Sequence, residues 1–193
     1  LRHVHSTKDS DFRLERIAES HVSELAGKLG NLLQRTTALA LKHRELRICR
    51  HATPSEDDEL LIHAATRAFA DVPAAVDDFA LHEALSSIFA LVGAANRYAD
   101  AREPWALSRR LTTNGSDDCA GELGNVLWHL LEALRVVAVL VAPFLPRTAA
   151  QLCERIGVPR RQLIDLENAR FGSWSTYAPD GGPPLFPLEP RSG

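Results

Sequence analysis

The sequence predicts an all-α protein, a helical bundle followed by an extended C-terminal tail. Apolar residues recur at helical spacing in most segments of the chain. No β-hairpin signal and no internal repeat interrupts this pattern. Proline and glycine residues stand where one helix should end and the next begin.

The first predicted helix follows a capping cluster at residues 9–11 and runs from Phe12 to about Arg47. In its second half, at 100° per residue, the apolar residues share one arc: Leu25, Leu29, Leu32, Leu33, Thr36, Leu39 and Ala40. A polar stripe lies on the neighbouring arc: Lys28, Asn31, Arg35 and Lys42. We therefore expect one face in a core and a basic, hydrogen-bonding stripe beside it.

The second helix should begin after Ser55 or Thr53 and cover about 56–71, with acidic residues in its first turn, where they suit the helix dipole. Pro73 should interrupt it. A third helix is then expected over about 74–99, with these core candidates: Phe79, Leu81, Leu85, Ile88, Phe89 and Val92.

The remaining helices are predicted over 104–110, 117–142, 146–156 and 159–168. An Asn-Gly loop at 112–118 precedes the long one, which is apolar nearly all round and should be the central helix. Gly157 should stop the sixth helix. The tail from Phe171 is rich in Gly, Pro and Ser and should be extended.

Three segments are expected: a linker at 1–11, a helical domain at 12–170 and the tail at 171–193. The chain begins with Leu1 and contains no Met, so we expect a longer parent protein. The longest uncharged apolar run, 136–146, is too short to span a bilayer, and no membrane partner is expected.

The 193 residues are 45% hydrophobic and 24% charged, which excludes disorder as the main state. The net charge of -3 excludes a globally basic nucleic-acid binder. Residues 1–50 carry four more basic than acidic residues, whereas residues 51–100 carry seven more acidic than basic. A polyanion would therefore be attracted to the first quarter of the chain only, although each segment can equally have a merely solvated face.

No local pattern indicates a catalytic or metal site. His3 and His5 stand two apart near the beginning of the chain, which is a weak metal signal. His129, Glu132 and Arg135 follow at i, i+3 and i+6 on the central helix. They can form a buried acid–base group, but an interhelical polar contact is the preferred interpretation.

The polar stripe carries the only chemistry that points to a ligand. Asn31 and Arg35 lie one helical turn apart and offer planar donors and an acceptor for the edge of an unpaired base. Trp105 follows Pro104 at a predicted helix start and can stack on such a base. Asn31 and Arg35 also fit a merely solvated surface, and Trp105 also fits an ordinary core aromatic residue.

Four elements, in order, resemble methionyl-tRNA synthetases. Residues 25–35 resemble their Leu-Ala-x-x-Leu-Gly-Asn-Leu-x-x-Arg stretch, and 95–98 with 103–105 resemble their Ala-Asn-x-Tyr and Pro-Trp element. Residues 130–135 with 142–146, and the Leu-Phe-Pro at 185–187, resemble two further elements. Residues 9–12 also fit the stretch that leads into the helical domain.

The resemblance implies the C-terminal α-helical anticodon-binding domain of a class I synthetase, of the bacterial or organellar type. It implies that Asn31, Arg35 and Trp105 contact the first anticodon base, a cytosine, and that Pro104 sets the tryptophan. The implied partners are a methionine tRNA with a CAU anticodon and an upstream catalytic domain, which would use ATP for aminoacylation. No catalytic residue, cofactor or metal is expected in this chain itself.

Two departures stand beside the resemblance. Gly27-Lys28 replaces an Asn-Asp pair, and Leu188 replaces a closing Arg. Lys28 adds positive charge near the expected anticodon phosphates. Lys28 and Lys42, both on the polar stripe, are the candidates for contacts with the RNA phosphates. The alternative function is a noncatalytic helical interaction module derived from such a synthetase. A mitochondrial or cytoplasmic location is expected.

Overall fold

A computed structural model describes residues 27–183, 185 and 186. Within them the chain forms six α-helices, two short 3-10 helices and no strand, which confirms the all-α prediction. The α-helices are α1 (Asn31–Lys42), α2 (Glu56–Asp77), α3 (Leu81–Arg102), α4 (Pro104–Asn114), α5 (Asp117–Val141) and α6 (Pro146–Ile156). The 3-10 helices are Arg160–Leu163 and Leu166–Ala169, in place of the single helix predicted there.

The predicted linker at 1–11, the helix start at Phe12 and the His3–His5 pair lie outside the described residues. So do Leu25 and Leu188.

Helix α5 is the centre of the bundle, as predicted. Every residue from Leu123 to Val141 is buried, and all the other α-helices pack against this helix. It is long and apolar enough to cross a membrane, but its apolar stretch is entirely buried inside the protein. We therefore assign it as the core helix of the bundle.

Local signals place several helix ends correctly. Ser55 caps α2: its hydroxyl accepts from the Asp58 amide, and the Asp58 carboxylate accepts from the Ser55 amide at 2.9 Å. Pro104 and Pro146 occupy the first turns of α4 and α6, where a missing N–H costs nothing. Gly157 ends α6 with φ of 73°.

The first helix ends earlier than predicted, at Lys42 instead of about Arg47. The following loop crosses α5 closely: a Cβ at Gly124 would lie 2.4 Å from the Arg47 carbonyl oxygen. The His51 amide then donates to the Asn125 side chain at 2.8 Å. Docking of this loop on α5 therefore replaces the last predicted turn of the helix.

The predicted break at Pro73 is wrong, because α2 continues through it to Asp77. Val72 and Ala75 are buried on either side of the proline, and this packing outweighs the one lost hydrogen bond. The chain turns instead at Phe79, whose φ is 56°. Phe79 is 75% exposed, so its prediction as a core residue is also wrong.

The fourth helix extends to Asn114, beyond its predicted end, and Gly115 closes it with φ of 59°. The predicted loop at 112–118 is thus reduced to two residues between α4 and α5. This short connection holds α4 against the central helix.

The tail packs against α5 by hydrogen bonds to a buried ion pair between two residues of that helix. Glu132 and Arg135 are both 0% exposed, and two of their nitrogen–oxygen distances are 2.7 Å. The Gly172 amide and the Tyr177 hydroxyl donate to Glu132, while Arg135 donates to the carbonyls of residues 168 and 170. The preferred interpretation, a polar contact instead of an acid–base group, holds for Glu132 and Arg135, although most of their partners lie in the tail and not on another helix. His129 does not join them and lies near Asp58 instead.

Candidate nucleic-acid interface

Helix α1 divides into two faces as its sequence pattern predicts. The described members of the apolar arc are buried, apart from the half-buried Leu39: Leu29, Leu32, Leu33, Thr36 and Ala40. On the neighbouring arc Lys28, Asn31 and Lys42 are exposed. The arrangement leaves a polar stripe at the surface of the bundle.

Arg35 and Trp105, from different helices, meet beside this stripe. The guanidinium carbon of Arg35 lies 4.2 Å from the centroid of the Trp105 ring, in cation–π geometry. Arg35 also lies 3.9 Å from the carboxylate of Asp100, and 39% of its side chain is exposed. Trp105 is half-buried and packs against the core, so the indole is anchored without being sealed inside the protein.

The other predicted residues lie around this pair. Asn31 is one turn before Arg35 on α1, about 6 Å along the helix axis. Pro104 is buried next to Trp105. Lys28 lies in the π-helical turn at 27–30, where its carbonyl accepts from Asn96 at 3.4 Å. The structure thus brings Arg35 and Trp105 into contact, with Asn31 adjacent along the stripe and Lys28 farther away.

Lys42 contacts α4 at the other end of α1. Its ammonium donates to the Ser108 hydroxyl oxygen at 3.1 Å, and Nε2 of His43 lies 2.7 Å from the same oxygen. Because an ammonium can only donate, the Ser108 hydroxyl is free to donate to His43. Burial and the neighbouring Lys42 charge both lower the pKa of His43, which fits a neutral ring accepting at Nε2.

A second polar cluster lies inside the bundle where α2, α3 and α5 meet. The buried Asp58 carboxylate accepts from the Tyr98 hydroxyl at 2.6 Å and from the Asn125 amide at 3.2 Å. His129 lies 3.6 Å from it, and burial lowers the pKa of that ring. All four side chains are at most 4% exposed and their hydrogen bonds join three helices, so we assign the cluster a structural role.

Among the described residues, no group of three His, Cys, Asp or Glu side chains could hold a metal ion. All three cysteines are free thiols. The side chains of Asn31, Arg35, Lys42 and Trp105 form the α1–α4 surface. They offer hydrogen bonding, stacking and positive charge to a ligand.

Sequence reasoning missed three residues at or under this surface: the exposed Asp100, the half-buried His43 and the buried Ser108. Asp100 lies near the end of α3, five positions before Trp105, and no local pattern marks a carboxylate there. His43 and Ser108 come together only because α1 packs against α4. A sequence pattern does not show which distant segments come into contact, so these residues could not be found from it.

An all-α bundle that presents a stacked arginine–tryptophan pair beside a polar helix stripe has the architecture of an α-helical anticodon-binding domain. The family described as the anticodon binding domain of methionyl tRNA ligase matches residues 48–172. The chain belongs to this family.

Similar proteins agree with the assignment. The chain is 36% identical over 190 residues to the methionine–tRNA ligase of Brucella suis, covering 97% of this chain and 35% of that protein. It is 33% identical over 165 residues to the enzyme of Lactococcus lactis, covering 85% and 24%. The chain thus spans about a third or less of the length of these relatives.

A solved structure shows the same fold. The crystal structure of Mycobacterium tuberculosis methionyl-tRNA synthetase bound by methionyl-adenylate superposes with a TM-score of 0.80 at 26% identity. The match covers 91% of this chain and 34% of that one.

Proposed function

We propose that this chain recognises the CAU anticodon of a methionine tRNA, with cytosine as the first base. The observation that carries the proposal is the contact between Arg35 and Trp105, one helical turn from the exposed Asn31. A stacking ring, a planar set of donors and an amide are the groups with which proteins hold an unpaired base.

The chemistry of cytosine fits these groups. Its pairing edge offers two acceptors, O2 and N3, and one donor, the N4 amino group. The Arg35 guanidinium can donate to the acceptors, and the Asn31 amide can both donate and accept. Uracil carries a proton at N3 and would present a donor to the guanidinium, so it should be rejected.

The proposal places recognition in this chain and chemistry elsewhere. A methionine–tRNA ligase joins methionine to tRNA with ATP, and we assign ATP and methionine binding to its catalytic domain. Within the ligase, the bundle would hold the anticodon while the catalytic domain acts on the other end of the tRNA.

Binding of a CAU anticodon stem-loop to the full chain tests the proposal. Trp105→Ala should weaken binding by about 1–3 kcal/mol, the free energy of one base–aromatic stack. Trp174→Ala, which removes another half-buried indole from the tail, serves as the matched control. Equal binding by wild-type protein and a folded Trp105→Ala variant would favour the noncatalytic interaction module instead.

A further inference from the structure

One charged residue at the end of α3 connects the inner polar cluster to the proposed base-binding surface. Arg102 is the last residue of α3, and only Glu103 separates it from α4, which begins with Pro104 and Trp105. We propose that Arg102 is a positioning residue for Trp105. The proposal rests on the proposed function for its consequence in RNA binding.

The Arg102 guanidinium has four polar side chains around it. Its guanidinium donates to the Ser55 hydroxyl and to the Glu122 carboxylate. It also lies 3.8 Å from Asp58 and 4.0 Å from Asp57. Only 14% of the side chain is exposed, so the guanidinium is committed to these groups and not to an external ligand.

The partners of Arg102 are themselves fixed. Ser55 and Asp58 form the capping box of α2, and Asp58 also binds Tyr98 and Asn125. Glu122 belongs to the first turns of α5. Arg102 therefore ties the end of α3 to two other helices at once.

Only two residues lie between Arg102 and Trp105, and both have a restricted backbone. Glu103 adopts left-handed backbone angles, φ 43° and ψ 56°, and serves as both the end of α3 and the cap of α4. A non-glycine residue holds this conformation only when its surroundings impose it. Pro104 then restricts the next φ angle. The direction in which α4 leaves α3, and with it the Trp105 ring, is thus set by the position of residue 102.

The middle of α4 is held separately by Ser108, through Lys42 and His43. Loss of the Arg102 anchor should consequently let the first turn of α4 shift while the rest of the helix stays docked. The Trp105 ring would then leave its stacking position over Arg35.

Fluorine NMR of protein labelled with 5-fluorotryptophan measures this shift without RNA. The chain has three tryptophans, and Trp105→Phe assigns the signal of interest. In Arg102→Gln the Trp105 signal should move or broaden, while the signal of Trp174, on the tail, stays in place. Arg160→Gln removes the same charge from an exposed ion pair with Glu154 and should leave both signals unchanged.

Stem-loop binding then tests the consequence. Arg102→Gln should weaken binding about three- to tenfold, less than complete loss of the stack. Introduced into Trp105→Ala, the same substitution should cause no further loss, because Arg102 acts through the indole. If Arg102→Gln does not fold, Glu122→Gln is the second variant. It removes the negative charge that faces Arg102 and should have the same effects.

An unchanged Trp105 signal in the folded variant would overturn the proposal. So would an additive loss of binding in the double variant, which would mean that Arg102 contacts the RNA directly. If wild-type protein does not bind the stem-loop, the proposed function fails, but the fluorine signals still decide whether Arg102 positions Trp105.

Discussion

The guanidinium of Arg35 lies over the ring of Trp105, with 4.2 Å between its central carbon and the ring centroid. The Asp100 carboxylate lies 3.9 Å from the same guanidinium. Two side chains that are far apart in the sequence are therefore in contact at the surface of the bundle.

Arg35→Lys should weaken binding of a CAU stem-loop although it keeps the charge. Lysine has neither the planar stack on Trp105 nor the paired donors, and one such contact is worth about 1–3 kcal/mol. Equilibrium titration at fixed salt measures the loss. Lys28→Arg is the converse substitution on the same stripe and should leave binding within about twofold. Wild-type affinity in Arg35→Lys would show that the plane of the guanidinium has no role.

Glu132→Gln should destabilise the protein by about 3–5 kcal/mol, because it leaves Arg135 charged and buried without its counter-ion. Denaturant unfolding measures the change. Glu154→Gln, in the exposed pair with Arg160, is the matched control and should cost less than about 1 kcal/mol. Similar losses for the two variants would contradict the anchoring role of the buried pair.

Gly157→Ala should be much more harmful than Gly115→Ala. Both glycines have positive φ, so both substitutions cost about 1–2 kcal/mol of backbone strain. At Gly157, however, a Cβ would also lie 2.1 Å from the Ala178 carbonyl oxygen, whereas nothing lies within 4 Å at Gly115. Thermal melting of the two variants compares them, and equal melting temperatures would mean that Ala178 does not lie against Gly157.

Acid should destabilise the protein through Asp58. Burial raises the pKa of this carboxyl, but hydrogen bonds from Tyr98 and Ser55 outweigh it and lower the pKa from 3.8 to about 2. Because the folded-state pKa lies below the unfolded one, the stabilisation is complete above pH 4 and is lost as the pH falls toward 2.

The linked free energy is about 2 kcal/mol for a shift of this size. Unfolding free energies measured between pH 5 and 2 check this. Asp58→Asn should be less stable than wild type at pH 7 but should lose less stability over that interval. Parallel curves for the two proteins would contradict the assignment.

The local features of the fold could be predicted from the sequence, since they depend on neighbouring residues. The apolar arc of α1, the cap at Ser55 and the stop at Gly157 are of this kind. The prediction of a break at Pro73 was wrong because packing of Val72 and Ala75 overrides a local signal. The prediction of Phe79 as a core residue was wrong because the turn that exposes it depends on where α2 ends.

The candidate site could be predicted in part. Helical spacing pointed to Asn31 and Arg35, and a helix start after Pro104 pointed to Trp105, but only the family resemblance implied that the three residues share one base. The Ser108 contacts and the Arg102 anchor could not be predicted, because each joins helices whose packing no short pattern encodes.

The most direct test of the account is the affinity of the full chain for two anticodon stem-loops that differ only in the first base, cytosine or uracil. We expect tighter binding of the cytosine loop by about 1–3 kcal/mol, and loss of most of this preference in Arg35→Lys. Equal affinity of the wild-type protein for the two loops would contradict it.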